Sequence, residues 1–301
     1  KTLPALDNAL LGLRGLSVLA AEPGIGKTTL GLQLGLDIVA ANDDACFVFF
    51  TFEMSSEEIE RRMLSRVSGL TWEALVLGEA SVHSPQTDKL HFSPEQRKAF
   101  ESGYRQLEEI KNRVFIIEQN VGANLGKSWF HNCVHKAKSQ SGCRRAFILV
   151  DNLQSMPIRN PTGGSWSSLD FDRYAIGLLL ELQHICPDDD AVMVISEQSK
   201  ETMGTARLRS ALGSARIVYS ADCVFFLVGD NENAGSEPQP VDFVIKKARD
   251  GMQRARIRLA FDHRHSTFRE DRDRATDIVV ESEENSELRG LEEMAPSSRT
   301  G

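Results

Sequence analysis

Cysteine and long apolar stretches are both scarce in this sequence. The chain has 301 residues, of which five are cysteine, and no two cysteines form a Cys-x-x-Cys pair. This odd, scattered set excludes a disulfide scaffold and predicts free thiols in a reducing compartment, so we expect a cytoplasmic protein. No apolar run reaches the roughly 18 residues that a membrane-spanning helix requires, so we expect no membrane partner.

Charge of one sign is also modest. The chain carries 35 Lys and Arg residues and 43 Asp and Glu residues, a formal net charge of −8. That balance argues against a protein that simply coats nucleic acid. A hydrophobic fraction of 41% and a charged fraction of 26% exclude a mainly disordered chain. At about 150 residues per domain, the length allows two domains or one large α/β domain.

The charge is unevenly distributed along the chain. From Ala275 onward there are seven acidic and two basic residues, which predicts an acidic, flexible tail over residues 275–301. Residues 246–274 hold ten basic and five acidic residues. Within them Arg254, Arg256 and Arg258 alternate and would share one face of a strand. That pattern fits a subunit interface, a nucleic-acid surface or, most commonly, the solvent-facing side of an edge strand.

Short apolar segments alternate with helical patterns through most of the chain. We predict strands at 15–20, 46–52, 114–117, 146–150 and 191–195, and helices at 27–41, 57–67, 94–111, 126–139 and 169–185. This alternation predicts an α/β fold with a mainly parallel central sheet flanked by helices. Three further strands, at 223–228, 241–246 and 256–261, lack helix-length spacers and predict an antiparallel extension at one edge.

A glycine-rich turn between the first strand and the first long helix predicts a phosphate-binding loop. The glycines let backbone N–H groups face phosphate oxygens at a helix N-terminus, a lysine can reach the β- and γ-phosphates, and a threonine hydroxyl can bind Mg²⁺. The alternative is an ordinary glycine-rich turn. The predicted nucleotide-binding residues are Ala21, Glu22, Pro23, Gly24, Ile25, Gly26, Lys27, Thr28 and Thr29.

Two acidic residues follow predicted strands. Asp151 ends the apolar run at 147–150, which is typical of an acid that holds Mg²⁺ beside a phosphate loop. Glu53 lies just past the strand at 46–52. Because ligands bind at the carboxyl ends of parallel strands, we expect Glu53 and Asp151 to converge there. Glu53 would then polarise the water that attacks the γ-phosphate, although an acid at a helix N-terminus is the alternative.

Six segments in a fixed order carry a family resemblance. The chain resembles the C-terminal motor domain of DnaB-like replicative helicases, in the RecA-like P-loop ATPase superfamily, over about residues 10–268. The resemblance implies a RecA-like ATPase domain over residues 1–274, ahead of the acidic tail. The segments are AAEPGIGKTTL (20–30), FTFEM (50–54), ILVDNLQSM (148–156), VISEQSK (194–200), SADCVFF (220–226) and KARDG (247–251).

The resemblance implies a role for each matching residue. ATP and Mg²⁺ would bind with Lys27 on the phosphates and with Thr28 and Asp151 on the metal, and Glu53 would be the catalytic carboxylate. Gln198 would be the polar sensor, although Glu197 stands before it where the family usually has a small residue.

The remaining implied roles concern assembly. Lys247 and Arg249 would reach the γ-phosphate of a neighbouring subunit, which requires a ring, typically a hexamer, or a filament. A helicase loader or a primase is the further partner that the family implies.

Basic loop residues are the candidates for binding single-stranded DNA. Motors of this family hold DNA on channel-lining loops, and the corresponding residues here are Arg159, Lys200, Arg207 and Arg209. The alternative is that these are solvated surface charges. Trp166, on the same polar loop as Arg159, would either stack on a base or pack locally.

Three functions are compatible with these features. The first is an ATP-hydrolysing DNA helicase or translocase of DNA replication. The second is a RadA-like or KaiC-like ATPase that switches or remodels a partner without unwinding. The third is an assembly module in which nucleotide occupancy only controls oligomerisation.

Overall fold

A computed structural model describes residues 3–83, 92–118, 127–158, 160, 164–185, 189–198, 220–230, 236–249 and 254–271. The predicted DNA-binding residues Arg159, Lys200, Arg207 and Arg209 lie outside these ranges, as does the predicted tail at 275–301.

The described helices and strands alternate along most of the chain. The helices are α1 (Pro4–Leu10), α2 (Lys27–Ala41), α3 (Ser56–Ser68), α4 (Trp72–His83), α5 (Pro94–Ile110), α6 (Lys127–Ser141) and α7 (Ser168–Ile185). The strands are β1 (Gly15–Ala21), β2 (Ala45–Thr51), β3 (Val114–Glu118), β4 (Arg145–Asp151), β5 (Ala191–Glu197), β6 (Cys223–Gly229), β7 (Gln239–Lys247), β8 (Arg256–Asp262) and β9 (Thr267–Glu270). None of the described helices is both long enough and apolar enough to cross a membrane.

All of the described strands belong to one sheet in the order β3-β2-β4-β5-β1-β6-β7-β8-β9. Strands β3 to β6 in this order pair in parallel, and β6 to β9 pair antiparallel. The predicted parallel sheet with an antiparallel extension is therefore confirmed. The carboxyl ends of β1, β2, β4 and β5 consequently meet at one edge, where a ligand is expected to bind.

Helices cover both faces of the parallel strands. On β2, Phe47 and Phe49 join the core on the side of α2, whereas Val48 and Phe50 join the core on the side of α6 and α7. This burial on both faces explains why the strand is a continuous apolar run rather than an alternating one. The backbone of α2 lies close to the sheet, because a Cβ at Gly35 would approach the Phe47 ring to 2.5 Å.

Local sequence signals begin two of the flanking helices. Ser55 and Glu58 form a reciprocal capping box at α3, and Ser93 and Gln96 form one at α5. Each box satisfies backbone N–H groups that a helix N-terminus leaves without partners. The predicted start of α5 at Pro94 is confirmed, because proline at the first helical position has no N–H to satisfy.

The arginine-rich strand β8 corrects one interpretation. We considered the alternating arginines to lie on an edge strand, but β9 pairs with β8 and forms the edge. Arg256 and Arg258 both bond the Asp242 carboxylate of β7, so they form a cross-strand ion-pair network. Arg254 precedes the strand. The sequence pattern did not reveal β9 because it has only four residues.

Candidate functional site

The loop between β1 and α2 packs against the antiparallel extension. Gly26, the residue that caps α2, has φ 88°. A Cβ at Gly26 would lie 2.7 Å from the Phe261 ring and 2.8 Å from the Phe268 ring. Glycine is therefore required both for the left-handed backbone and for the close approach of these rings. The rings of Phe261 and Phe268 are stacked with centroids 4.5 Å apart and support the loop from β8 and β9.

Lys27 is the first residue of α2 and is only 8% exposed. Its Nζ donates to the Ala21 carbonyl oxygen over 3.0 Å, across the turn. Burial lowers the pKa of Lys27, and the carboxylates of Glu197, Asp151 and Glu53 oppose this shift. The free N–H groups of the first helical turn lie beside this ammonium group, an arrangement that attracts anions.

Thr28 and Asp151 form an oxygen-rich pair beside Lys27. The Thr28 hydroxyl donates to Asp151 Oδ2 over 2.6 Å. Asp151 is 3% exposed, and burial raises its pKa to about 6, against the hydrogen bond from Thr28. A hydroxyl and a carboxylate at the end of a buried strand are the hard oxygen ligands that Mg²⁺ prefers, so these residues fit that ion.

Glu53 is held by two residues that follow β4. Its Oε1 accepts from Asn152 Nδ2 over 2.8 Å and from the Ser155 hydroxyl over 2.5 Å. Sequence reasoning missed this contribution from Asn152 and Ser155, although both lie in the segment ILVDNLQSM. These bonds fix the direction of an otherwise exposed carboxylate, as a group that must orient a water requires.

These residues surround a cleft of about 370 Å³ at the carboxyl edge of the parallel strands. The structure brings Lys27, Thr28, Glu53 and Asp151 together there, as the sequence predicted. The lining residues are Pro23, Gly24, Gly26, Lys27, Thr28, Thr29, Glu53, Arg62, Asp151, Asn152, Glu197, Phe261 and His263.

Arg62 of α3 is a cation in this cleft that the sequence did not reveal. Its Nη1 donates to the Thr29 hydroxyl over 3.5 Å. Within the described residues, its buried Nε has no hydrogen-bond partner. Burial lowers the pKa of the guanidinium, and Glu58 and Asp151 oppose the shift. Arg62 thus brings a desolvated positive charge with a spare donor to the cleft, and only the docking of α3 places it there.

The end of β5 places Glu197 and Gln198 differently. Glu197 lines the cleft and pairs in register with Ala21, whereas Gln198 is 5% exposed. The backbone N–H of Gln198 donates to the Ala21 carbonyl oxygen over 3.1 Å. Gln198 therefore adjoins the phosphate loop through its backbone, and the acid that precedes it is the side chain in the cleft.

Lys247 and Arg249 lie at the opposite end of the sheet from this cleft. Lys247 ends β7 and pairs with Val224 at the beginning of β6. Strand β6 in turn runs parallel to β1, with Cys223 beside Ser17. Lys247 and Arg249 thus lie near the start of β1, whereas Lys27 follows its end, roughly 20 Å away at about 3.3 Å per residue.

The Lys247 and Arg249 side chains have partners within the chain. The Lys247 Nζ donates to the Ala221 carbonyl oxygen over 2.6 Å, and Arg249 Nη1 donates to Asp222 Oδ1 over 2.9 Å. Burial, with the charge of Arg249, lowers the pKa of Lys247 to about 8.

Trp166 is used in local packing. Its Nε1 donates to the Ile158 carbonyl oxygen over 2.8 Å, and its ring contacts Tyr174 with centroids 5.3 Å apart. Of the two interpretations offered for this side chain, the structure supports packing. The described cysteines, Cys46, Cys133, Cys143 and Cys223, are free thiols, as predicted.

The mostly parallel sheet, the phosphate loop after its central strand and the carboxylates at neighbouring strand ends define a RecA-like P-loop fold. The comparison with protein families identifies a narrower group. Residues 1–168 match the DnaB-like helicase C-terminal domain, and the chain belongs to that family.

Two solved structures have the same fold. The ATPase domain of a DnaB-like helicase superposes with a TM-score of 0.71 at 18% identity, covering 90% of each chain. A DnaB-like replicative helicase, solved in a study of its interactions with primase, gives a TM-score of 0.71 at 18% identity. That match covers 89% of this chain and 60% of the other. No curated protein matches the sequence.

Proposed function

We propose that this chain is the ATP-hydrolysing motor of a DnaB-like helicase, acting as a ring on single-stranded DNA. One observation carries the proposal: a phosphate cleft with its own carboxylates at one edge of the sheet, and Lys247 and Arg249 at the other. We assign the ATPase domain to residues 1–274 and the appended acidic tail to residues 275–301.

The cleft residues divide the chemistry of hydrolysis among them. Backbone N–H groups of residues 24–29 bind the ATP phosphates and Lys27 neutralises their charge. Thr28 and Asp151 hold Mg²⁺, which supplies charge neutralisation between the phosphates. Glu53, oriented by Asn152 and Ser155, accepts a proton from the attacking water. Gln198 acts beside the loop as the polar sensor.

The charge of the cleft supports a contribution from a second subunit. The lining side chains include three carboxylates, Glu53, Asp151 and Glu197, and two permanent cations, Lys27 and Arg62. Their sum of 2 − 3 = −1 cannot neutralise a triphosphate. Lys247 and Arg249 of a neighbour would add two positive charges, and a head-to-tail arrangement of this kind closes into a ring such as a hexamer.

DNA would be bound by the loops that carry Arg159, Lys200, Arg207 and Arg209, repeated around the ring. The helicase structure described with primase makes a primase one candidate partner, and a helicase loader is another.

The test is the ATPase rate with and without single-stranded DNA, measured together with the molar mass in ATP by light scattering. We expect an ATP-dependent oligomer whose turnover rises with single-stranded DNA and that unwinds a forked duplex. An oligomer that hydrolyses ATP but ignores DNA would contradict the motor and favour a partner-remodelling switch. Assembly with negligible turnover, equal to that of Glu53→Gln, would favour the assembly module.

A further inference from the structure

The segment before β6 holds both cations that the proposed function assigns to the neighbouring subunit. The Ala221 carbonyl oxygen accepts from Lys247 Nζ, and the next residue, Asp222, accepts from Arg249 Nη1. Two consecutive residues therefore fix the positions of a lysine and an arginine that are themselves two residues apart on the chain.

Asp222 is itself firmly anchored. Its Oδ2 accepts from the Leu16 backbone N–H over 2.9 Å, and its own N–H donates to the Leu16 carbonyl oxygen over 2.7 Å. The carboxylate thus bonds the first strand through one oxygen and Arg249 through the other. It is also well covered, with the Asp222 side chain 18% exposed and the Arg249 side chain 53% exposed.

An ion pair with a half-exposed arginine contributes little to stability. Its effect on direction is larger, because a long arginine side chain otherwise samples many rotamers. A rigid carboxylate on one side of the guanidinium restricts that sampling before any partner arrives. Reactions that depend on a placed cation benefit from such preorganisation, and a displacement of about 1 Å can cost about 100-fold in rate.

We propose that Asp222 is a positioning residue, which aims Arg249 at the nucleotide of the adjacent subunit. The inference rests on the proposed function, because it assumes that Arg249 acts between subunits. Asp222 touches neither ATP nor the reacting atoms, so it is not a catalytic residue.

The substitution Asp222→Asn separates this role from the structural one. An asparagine keeps an oxygen that can accept from the Leu16 N–H, while its amide group replaces the charged oxygen that faces Arg249. A matched control is Asp242→Asn, which changes another cross-strand carboxylate whose partners are Arg256 and Arg258.

The experiment uses mixed assemblies of the full chain. Arg249→Ala subunits keep an intact cleft but lack the arginine, and Glu53→Gln subunits bind ATP and supply the arginine but cannot hydrolyse. Mixing them should restore turnover at the mixed interfaces. Asp222→Asn is then added either to the arginine-supplying subunit or to the Arg249→Ala subunit, with assembly in ATP checked by light scattering.

We expect a roughly 10- to 100-fold loss of the restored turnover when Asp222→Asn is on the arginine-supplying chain. On the Arg249→Ala chain it should have no effect, since no arginine remains there to aim. Asp242→Asn should have no effect on either chain. Asp222→Glu, which returns the negative charge, should recover part of the loss even if the asparagine variant folds poorly.

Three outcomes would overturn the inference, and they differ from one another. Equal losses from both placements would make Asp222 a structural residue. Unchanged turnover with Asp222→Asn on the arginine-supplying chain would show that Arg249 needs no positioning. If the parent mixture shows no restored turnover, the action of Arg249 between subunits fails first, and the role of Asp222 with it.

Discussion

The two edges of the parallel strands treat their charged side chains in opposite ways. At the carboxyl edge, Lys27 and Asp151 are buried and surrounded by groups of the same chain. At the amino edge, Arg249 is half-exposed and held by one carboxylate. Burial prepares a cleft to receive an anion, whereas exposure on a fixed mount leaves a cation available to another molecule. The comparison teaches that one subunit carries two complementary parts of a site.

The energetic cost of the two edges differs in the same sense. Burial lowers the pKa of Lys27 and raises that of Asp151, so each group is less easily charged than in water. Bound phosphate and Mg²⁺ would relieve this cost by supplying opposite charges. Arg249 stays in contact with solvent, and little desolvation cost is expected before it meets its target.

Lys27→Ala is the change that should most fully disable the carboxyl edge. The phosphates lose their cation, and the buried carboxylates of Asp151, Glu53 and Glu197 lose a neighbouring positive charge. We expect ATP turnover to fall to the background rate and nucleotide affinity to fall with it. Steady-state hydrolysis and the binding of a fluorescent ATP analogue measure these two effects, with exposed Lys98→Ala of α5 as the control. Hydrolysis at the wild-type rate would contradict the assignment of the phosphate loop.

The contents of the carboxyl edge were largely predictable from sequence. The phosphate loop, Asp151 and Glu53 follow apolar strands, and strand ends in a parallel sheet meet at one edge. Arg62 and Glu197 were not predicted as cleft residues. Arg62 reaches the cleft only because α3 docks against α2, and one step along β5 decides whether Glu197 or Gln198 faces it. Local patterns do not contain such tertiary information.

The fold shows the same division. The periodic apolar segments gave the buried strands and the long helices, because burial on both faces leaves a continuous signal. The short elements α1 and β9, with seven and four residues, were missed because such lengths carry too few periods. The distance of Lys247 and Arg249 from the cleft also depends on the pairing of β1 with β6, which no local pattern encodes.

Arg249→Ala should sharpen the contrast by disabling the amino edge alone. We expect turnover by the assembled protein to fall about 10³-fold, which is the contribution of an arginine that stabilises the transferred phosphoryl group. Nucleotide binding by the separate subunit should remain nearly unchanged, since Arg249 lies at the other end of the sheet from Lys27. Turnover and binding are measured on the same preparation, above and below the concentration of assembly.

Arg256→Ala is the matched control for Arg249→Ala. It removes a partly exposed arginine that also pairs with a carboxylate in the antiparallel extension. We expect turnover within a few-fold of wild type. A loss as large as that of Arg249→Ala would mean that the extension as a whole, rather than one cation, supports hydrolysis, and the comparison of the two edges would fail.

Lys247 allows the smallest and most local test of the amino edge. Burial and the adjacent Arg249 lower its pKa to about 8 from 10.5, while Asp222 and Cys223 act in the opposite direction. Between these two values the unfolded chain binds more protons than the folded one, so the free energy of unfolding should rise with pH. Below about pH 8 both states carry the proton and this slope vanishes.

Lys247→Met and Lys247→Arg should both flatten that slope in the nucleotide-free protein. Methionine has no charge, and arginine keeps its proton throughout the window, so neither group titrates there. We expect the wild-type protein to gain on the order of 1 kcal/mol relative to either variant across the window, after discounting for solvent screening. Urea unfolding at several pH values measures the difference. Parallel curves for all three proteins would show that the Lys247 ammonium is solvated rather than desolvated, and that the amino edge presents two freely hydrated cations.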